Sequence, residues 1–276
     1  MRRRLPHDRT YEQVKRHYEV EKAIAERLKS GSREVRERIY ACMYDEVLAK
    51  VPDHPRLAAR DDEGRIEEIG RRTHEIVEKY VNTDTVFAEF APGDCSFAYY
   101  ISRYVREVYA VDISKQSSGK YQEPSNFSLI IYNGYDLDMA DNSVDVAFSD
   151  QLIEHLHPED VEHHFDLVKR ILREGGIYIF RTPHAYFGPW DVSKYFSDTP
   201  EGFHLKEWTY SGLEKIIKKL HYSRVYGYKK IGKNFIIIRP LYFKIVEKLL
   251  SIFPMKLRRK VSRPLLPMKM IVVLVK

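Results

Sequence analysis

Cysteine is nearly missing: the 276-residue chain contains only Cys42 and Cys95. Two cysteines are too few for a disulfide framework or a zinc cluster, so a reducing cytoplasm is the expected setting. Also missing is any apolar run of about 18 residues, which argues against a transmembrane helix. The opening stretch, MRRRLPHDRT, is basic but lacks the apolar segment of a secretory signal. What remains is an ordinary balance of 43% hydrophobic and 31% charged residues, enough to bury a real core. The length calls for one elaborated domain or a core with an appendage.

Charge is unevenly placed. Residues 229–276 hold 13 Lys/Arg against a single acid, Glu247, which leaves 33 bases and 39 acids for the rest of the chain. A basic segment on an acidic body points to local contact with phosphate-rich surfaces rather than to global nucleic-acid binding.

Three segments are expected along the chain: a helical cap over 1–82, a core over 83–230, and a basic helical insertion with a closing strand over 231–276. In the first, Tyr18, Val20, Ile24, Ala25 and Leu28 recur at helical spacing, and Gly31-Ser32 breaks the pattern. A second helix runs through Val35, Ile39, Tyr40, Met43, Tyr44 and Val47, and a third carries Ile66, Ile69 and Ile76. Nothing in the cap looks catalytic, although it could wall a substrate pocket.

From about residue 84 short apolar strands alternate with helices. Strands are expected at 85–90, 107–112, 127–132, 144–149 and 176–181, with helices at 96–104 and 159–173, the latter stopped by Glu174-Gly175-Gly176. This alternation implies an α/β fold, a mostly parallel sheet with helices on both faces. Such sheets bind ligands beyond the carboxyl ends of their strands, where strand order reverses. The first strand ends in Glu89-Phe90-Ala91-Pro92-Gly93-Asp94-Cys95-Ser96-Phe97 and the second, about 20 residues on, in Val111-Asp112-Ile113-Ser114. A carboxylate there can accept ribose hydroxyls, while the close loop lets backbone N–H groups approach the ligand. Taken alone, the pattern would also suit a nicotinamide dinucleotide.

Further features separate the two. Over roughly residues 84–228 the chain resembles the class I methyltransferases that use S-adenosylmethionine (SAM), of the bacterial, methyltransferase-11-like kind. Residues 86–97 look like their first motif, and Val108-Tyr109-Ala110-Val111-Asp112 like the second. Asp141-Asn142-Ser143-Val144-Asp145-Val146-Ala147-Phe148-Ser149 with Glu154-His155-Leu156 resembles the strand-four motif. Ile171-Leu172-Arg173-Glu174-Gly175-Gly176-Ile177-Tyr178-Ile179 is similar to the turn into strand five. The resemblance implies a Rossmann-like, seven-stranded, mostly parallel sheet and SAM as cofactor, with S-adenosylhomocysteine as product. It places Ala91 and Gly93 beside the methionine part, Glu89 under that loop, Asp112 on the ribose and Ile113 on the adenine. Asn133 and Gly134 would stand near the adenine amine, and Asp150 and Gln151 would face the sulfonium or the substrate. One departure stands out, because the family's outer two glycines correspond to Ala91 and Cys95.

Methyl transfer from a sulfonium is an in-line displacement governed by positioning, and an oxygen acceptor also benefits from a base. Candidates are His155, just beyond strand four, and His184, Asp191 and His204 in the long loop after strand five. No spacing demands a metal, though Glu154, His155 and a loop carboxylate are compatible with one. The expected acceptor is a small molecule or a glycan that carries a hydroxyl oxygen; a lipid-linked acceptor and membrane contact through 239–263 are compatible with the basic, apolar helix there. Two other readings stay open: a catalytically inactive binding or scaffold protein that kept the methyltransferase fold but lost turnover, and an RNA methyltransferase. Against the latter, Ser149-Asp150-Gln151-Leu152 lacks the proline-aromatic loop of base-amine enzymes. Nucleic acid is therefore disfavoured as a partner, and the oligomeric state is not legible.

Overall fold

The computed structural model describes residues 4–55, 57, 64–115, 122–232 and 234–276. Helices α1 (Tyr11–Ser30) and α2 (Arg33–Lys50) pack on each other around the break at Gly31-Ser32. A capping box starts α1: the Thr10 hydroxyl accepts from the Gln13 N–H at 3.2 Å, and the Gln13 side chain accepts from the Thr10 N–H at 2.7 Å. Helix α3 (Arg65–Val77) lies against α4 (Ser96–Ile101). A Cβ on Gly70 would stand 2.1 Å from the Tyr100 ring, so glycine is what permits that approach.

Eight strands form one sheet: β1 (Val86–Phe90), β2 (Glu107–Asp112), β3 (Phe127–Ile131), β4 (Val144–Asp150), β5 (Leu172–Pro183), β6 (Arg224–Ile231), β7 (Asn234–Ile238) and β8 (Lys269–Val275). Their order is β3-β2-β1-β4-β5-β8-β6-β7. The first five run parallel, and β8 enters antiparallel between β5 and β6. Strand alternation feeds two cores. Val86, Ala88 and Phe90 of β1 with Met270, Val272 and Leu274 of β8 face one side, while Phe87, Ile271 and Val273 face the other. Helices α5 (Asp160–Ile171), α6 (Tyr210–Ile217) and α7 (Pro240–Ser251) cover the first side, and α3 and α4 the second.

Three expectations change in detail. The sheet has eight strands rather than seven, because residues 234–238 fold back on β6 as an antiparallel edge strand. The helix expected over 159–173 stops at Ile171, and β5 begins at once. The β4–β5 register jumps from Val144↔Leu172 to Val146↔Ile177, so Arg173-Glu174-Gly175-Gly176 is a bulge, with Gly175 at φ +75°, rather than a helix stop. Helix α4 ends at Ile101 instead of 104, where the Ser102 hydroxyl donates back to the Tyr99 carbonyl at 2.8 Å.

The cap is fastened over the carboxyl ends of the strands. Ile24, Leu28, Tyr40, Met43 and Val47 pack with Tyr135, from the segment between β3 and β4, and with Phe203 and Leu205, from the loop after β5. At the centre of that joint the buried Arg36 guanidinium grips Asp160 at the start of α5, with Nε–Oδ2 at 2.8 Å and Nη2–Oδ1 at 2.7 Å. Tyr135 donates to the same carboxylate at 2.8 Å. Arg36→Ala would leave Asp160 buried and unpaired, and should lower unfolding stability by about 3–5 kcal/mol in denaturant titration. A loss under about 1 kcal/mol would mean that the pair does not fasten the cap.

Candidate functional site

Between β1 and α4 the chain turns through Ala91, Gly93 and Cys95, all left-handed at φ +54°, +60° and +62°. Each outer position therefore carries a Cβ in a backbone region that L-residues avoid. A Cβ built on Gly93 meets nothing within 4 Å, because the loop opens there onto a cavity. That cavity, about 250 Å³, lies over the carboxyl ends of β1, β2 and β4, where strand order reverses. Ala91, Gly93, Asp112, Ile113, Gly134, Asp150, Gln151 and His155 line it, and Tyr40, Met43 and Tyr44 of α2 roof it. Tyr132 and His164 complete the wall. Burial holds His164 neutral, pushed down to about 3.

The loop and the tip of β2 are joined through Asp112. Its Oδ2 accepts from the Gly93 N–H at 3.3 Å, and its Oδ1 from the N–H groups of Ile113 and Ser114 at 2.7 and 3.2 Å. Beneath the loop, Glu89 is buried, and its carboxyl is pushed well up by that burial and by the charges of Asp150, Asp94 and Asp112. Glu89 Oε2 and Gln151 Nε2 are both buried without a hydrogen-bond partner. One is an acceptor and the other a donor. They suit a ligand that carries an ammonium and a carboxylate, as the methionine end of SAM does.

A polar cluster sits at the His155 end of the cavity. Glu154 is fully buried, and its Oε2 accepts from the Thr182 hydroxyl at 2.8 Å while Oε1 has no partner. Burial pushes its carboxyl up to about 7, against the pull of the His204 charge. The His155 Nδ1 meets the Phe203 carbonyl at 3.0 Å, and its ring lies edge-on to His204 with centroids 4.9 Å apart. The buried His204 holds Glu207 Oε1 through Nδ1 at 2.9 Å. Burial opposes charge on that ring, but the Glu207 bond and the charges of Glu154 and Asp191 outweigh it and raise its pKa.

Other expected site residues are placed elsewhere. His184 is fully buried away from the cavity lining, accepting from the Tyr186 N–H at 3.1 Å and pairing with Glu247 at 3.0 Å. It ties the loop to α7. Asp191 caps a turn, accepting from the N–H groups of Ser193 and Gly202, both at 3.0 Å. Asn133 is likewise spent on its own turn, accepting from Tyr135 and Asp136 N–H and donating to Glu37. Asp150 lines the cavity but is held by Arg181, with Nε–Oδ1 at 2.6 Å. The cap does wall the cavity, through Tyr40, Met43 and Tyr44, but nothing in the sequence singles out these residues, or Tyr132 and His164, as site residues. The i, i+3, i+4 spacing on α2 places the first three on one face and says no more.

An open sheet wound on both faces, with a left-handed loop after β1 and a carboxylate at the tip of β2, defines a Rossmann-like architecture. Residues 88–180 match the family model described as "Methyltransferase domain". Over those residues, about a third of the chain, the sequence is that of a methyltransferase domain, which supports a protein of the class I type with SAM as cofactor. No curated protein matches the sequence. Among solved structures, a SAM-dependent methyltransferase from Archaeoglobus fulgidus is similar with a TM-score of 0.52 at 15% identity, covering 76% of this chain and 94% of that one. The partner of the Trm112 methyltransferase activator in a Haloferax volcanii complex aligns with a TM-score of 0.51 at 15% identity, over 77% of this chain and 94% of that one. Phosphoethanolamine N-methyltransferase 1 of Haemonchus contortus aligns with a TM-score of 0.51 at 19% identity, over 67% of this chain and 40% of that one. At such identities the likeness fixes the fold and nothing finer.

The loop geometry makes a direct prediction. Ala91 is exposed, so Ala91→Gly removes a strained Cβ and little packing, and should raise unfolding stability by about 1 kcal/mol. A variant that is less stable than the parent in thermal melts would show that the left-handed turn costs nothing.

Proposed function

We propose that the protein transfers a methyl group to a hydroxyl oxygen of a small-molecule or glycan acceptor. The observation that carries this reading is His155, which lines the same cavity as Gly93 and Asp112 and has the buried Glu154 and His204 close behind it. Bound SAM supplies an electrophilic methyl group on a sulfonium. The residues of the chain supply position and charge: Asp112 accepts from the ribose hydroxyls, Glu89 and Gln151 complement the amino acid end, and α2 closes the cavity against water. From the cavity wall His155 can orient an acceptor hydroxyl and take its proton, with the buried Glu154 and His204 behind it, which is why an oxygen acceptor is favoured. The Haemonchus enzyme is named for a nitrogen acceptor, so the acceptor atom is the point to test. The Ala91/Cys95 departure supports retained rather than decayed binding, because the loop keeps its left-handed course at both positions.

A lipid-linked acceptor is favoured by α7 and α8 (Met255–Ser262). Phe243, Val246 and Leu250 of α7 pack into the core, while Leu241, Ile245, Leu249 (62% exposed) and Ile252 (77% exposed) share the outward face. Met255 and Leu257 continue that apolar surface, flanked by the exposed Lys248, Lys256 and Lys260. Apolar residues ringed by lysine fit an anionic lipid surface. Among the described residues no helix is long and apolar enough to cross a membrane.

Two measurements test these readings. Asp112→Ala should weaken SAM binding at least about tenfold in calorimetric titration, since it removes charge-assisted hydrogen bonds of about 1.5–3 kcal/mol each. Unchanged affinity would displace the ribose from this carboxylate. Sedimentation with phosphatidylglycerol vesicles should recover the parent protein and lose the Leu249→Glu/Ile252→Glu double variant. Equal recovery of the two would sink the lipid contact.

A further inference from the structure

The polar cluster has features that proton relay alone does not need. Glu154 and His155 follow β4 directly, whereas His204 arrives from the long loop after β5, yet one ligand atom from each lies within 4.8 Å of the others. Three ligands bonded to one tetrahedral ion at about 2.1 Å sit about 3.4 Å apart, so an adjustment of about an ångström would bring these together.

The surroundings are those of metal-binding histidines. The His155 Nδ1 is held by a backbone carbonyl, that of Phe203 at 3.0 Å, and the His204 Nδ1 by a carboxylate, Glu207 at 2.9 Å. Both bonds place the ring proton on Nδ1 and make Nε2 the lone-pair nitrogen. This outer-sphere arrangement orients metal-ligating imidazoles and raises their basicity. Glu207 is itself fixed by the Trp190 N–H at 2.6 Å. Glu154 has one oxygen on the Thr182 hydroxyl and the other, Oε1, buried with no donor at all. A buried carboxylate oxygen left unpartnered is costly, and a cation removes that cost.

We infer that Glu154, His155 and His204 form a divalent-cation site at the acceptor end of the cavity. Two imidazole nitrogens and one carboxylate favour a first-row transition cation, Zn²⁺, Mn²⁺ or Fe²⁺, over the all-oxygen preferences of Mg²⁺ and Ca²⁺. With three protein ligands, positions stay open for an oxygen donor of the acceptor. His155 lines the cavity, so that donor would reach the cation from the cofactor's side. Its use in catalysis rests on the methyl-transfer reading: a cation there would draw in a hydroxyl-bearing acceptor and make its proton easier to lose to water. Binding of the cation rests on the side chains alone.

The other His/Glu group, His17, Glu21 and His54, does not compare. His17 is contacted on Nδ1 by the Arg9 guanidinium at 3.0 Å and on Nε2 by Glu21 at 2.7 Å. A positive charge already occupies one side of that ring.

The test is direct. Chelator-stripped protein of all 276 residues is titrated with Zn²⁺ by calorimetry and, separately, loaded with Co²⁺ and read by visible absorption. One Zn²⁺ per chain and ligand-field bands from Co²⁺ are expected. Glu154→Gln and His204→Gln should each weaken Zn²⁺ by more than about tenfold and bleach the bands, with thermal melts confirming a folded sample. His155→Gln, at a less buried position, decides the matter if either of the others fails to fold. Absence of stoichiometric Zn²⁺ binding in the parent, or binding unchanged in the folded variants, overturns the site. S-adenosylhomocysteine is titrated in parallel so that two failures stay distinct. Zn²⁺ bound without it removes the methyl-transfer role and keeps the cation site, whereas the reverse removes the cation alone.

Discussion

The Arg36–Asp160 ion pair is the joint on which the rest of the site depends. Neither partner belongs to the parallel sheet, yet together they set the distance between α2 and the start of α5. Tyr40, one turn beyond Arg36, then reaches both the cavity and the turn before α5, where its hydroxyl accepts from the His157 N–H at 2.8 Å. A buried charge pair is a weak source of net stability, but a placement of α2 that broke it would leave a buried charge unpaired. The cavity is roofed because the pair is made.

The floor follows a different logic. Ala91 and Cys95 hold a left-handed turn against their own Cβ atoms, and Asp112 holds it from below through the Gly93 N–H. Strain of this kind persists only where the surroundings over-determine it, and a loop that must present N–H groups to a ligand is such a place. The acceptor end is built from longer reach. The loop after β5 is held by Glu21 of α1, which accepts from the Phe203 N–H at 3.2 Å, and by Glu247 of α7, which pairs with His184 Nε2 at 3.0 Å. The cap and the core therefore line one pocket, and the basic segment holds the loop after β5 beside it.

Much of this could be read before any coordinates. The alternation of strands and helices, the loop at Gly93 and the carboxylate at Asp112 follow from local pattern, because parallel strands are short, apolar and regularly spaced. Boundaries were less legible. A Gly-Gly pair stops a helix or makes a bulge, and only the register of β5 on β4 decides which. The edge strand at 234–238 was hidden because half-exposed isoleucines give no clear alternation. Loop histidines are harder still: His184 and His204 have the same chemistry and similar neighbours in sequence. Long-range partners separate them, Glu247 fixing one to α7 and Glu207 holding the other beside Glu154.

The position of β8 carries a consequence for how the molecule comes to be. β8 follows β6 by 37 intervening residues, yet it is the strand that stands between β5 and β6. Until β8 is in place, the β6–β7 hairpin has no sheet to join. The edge of β5 is then bare, with Tyr178 and Phe180 beside it. A nascent chain in that state displays an apolar, unpaired edge, the surface that chaperones shield and that drives self-association when they do not.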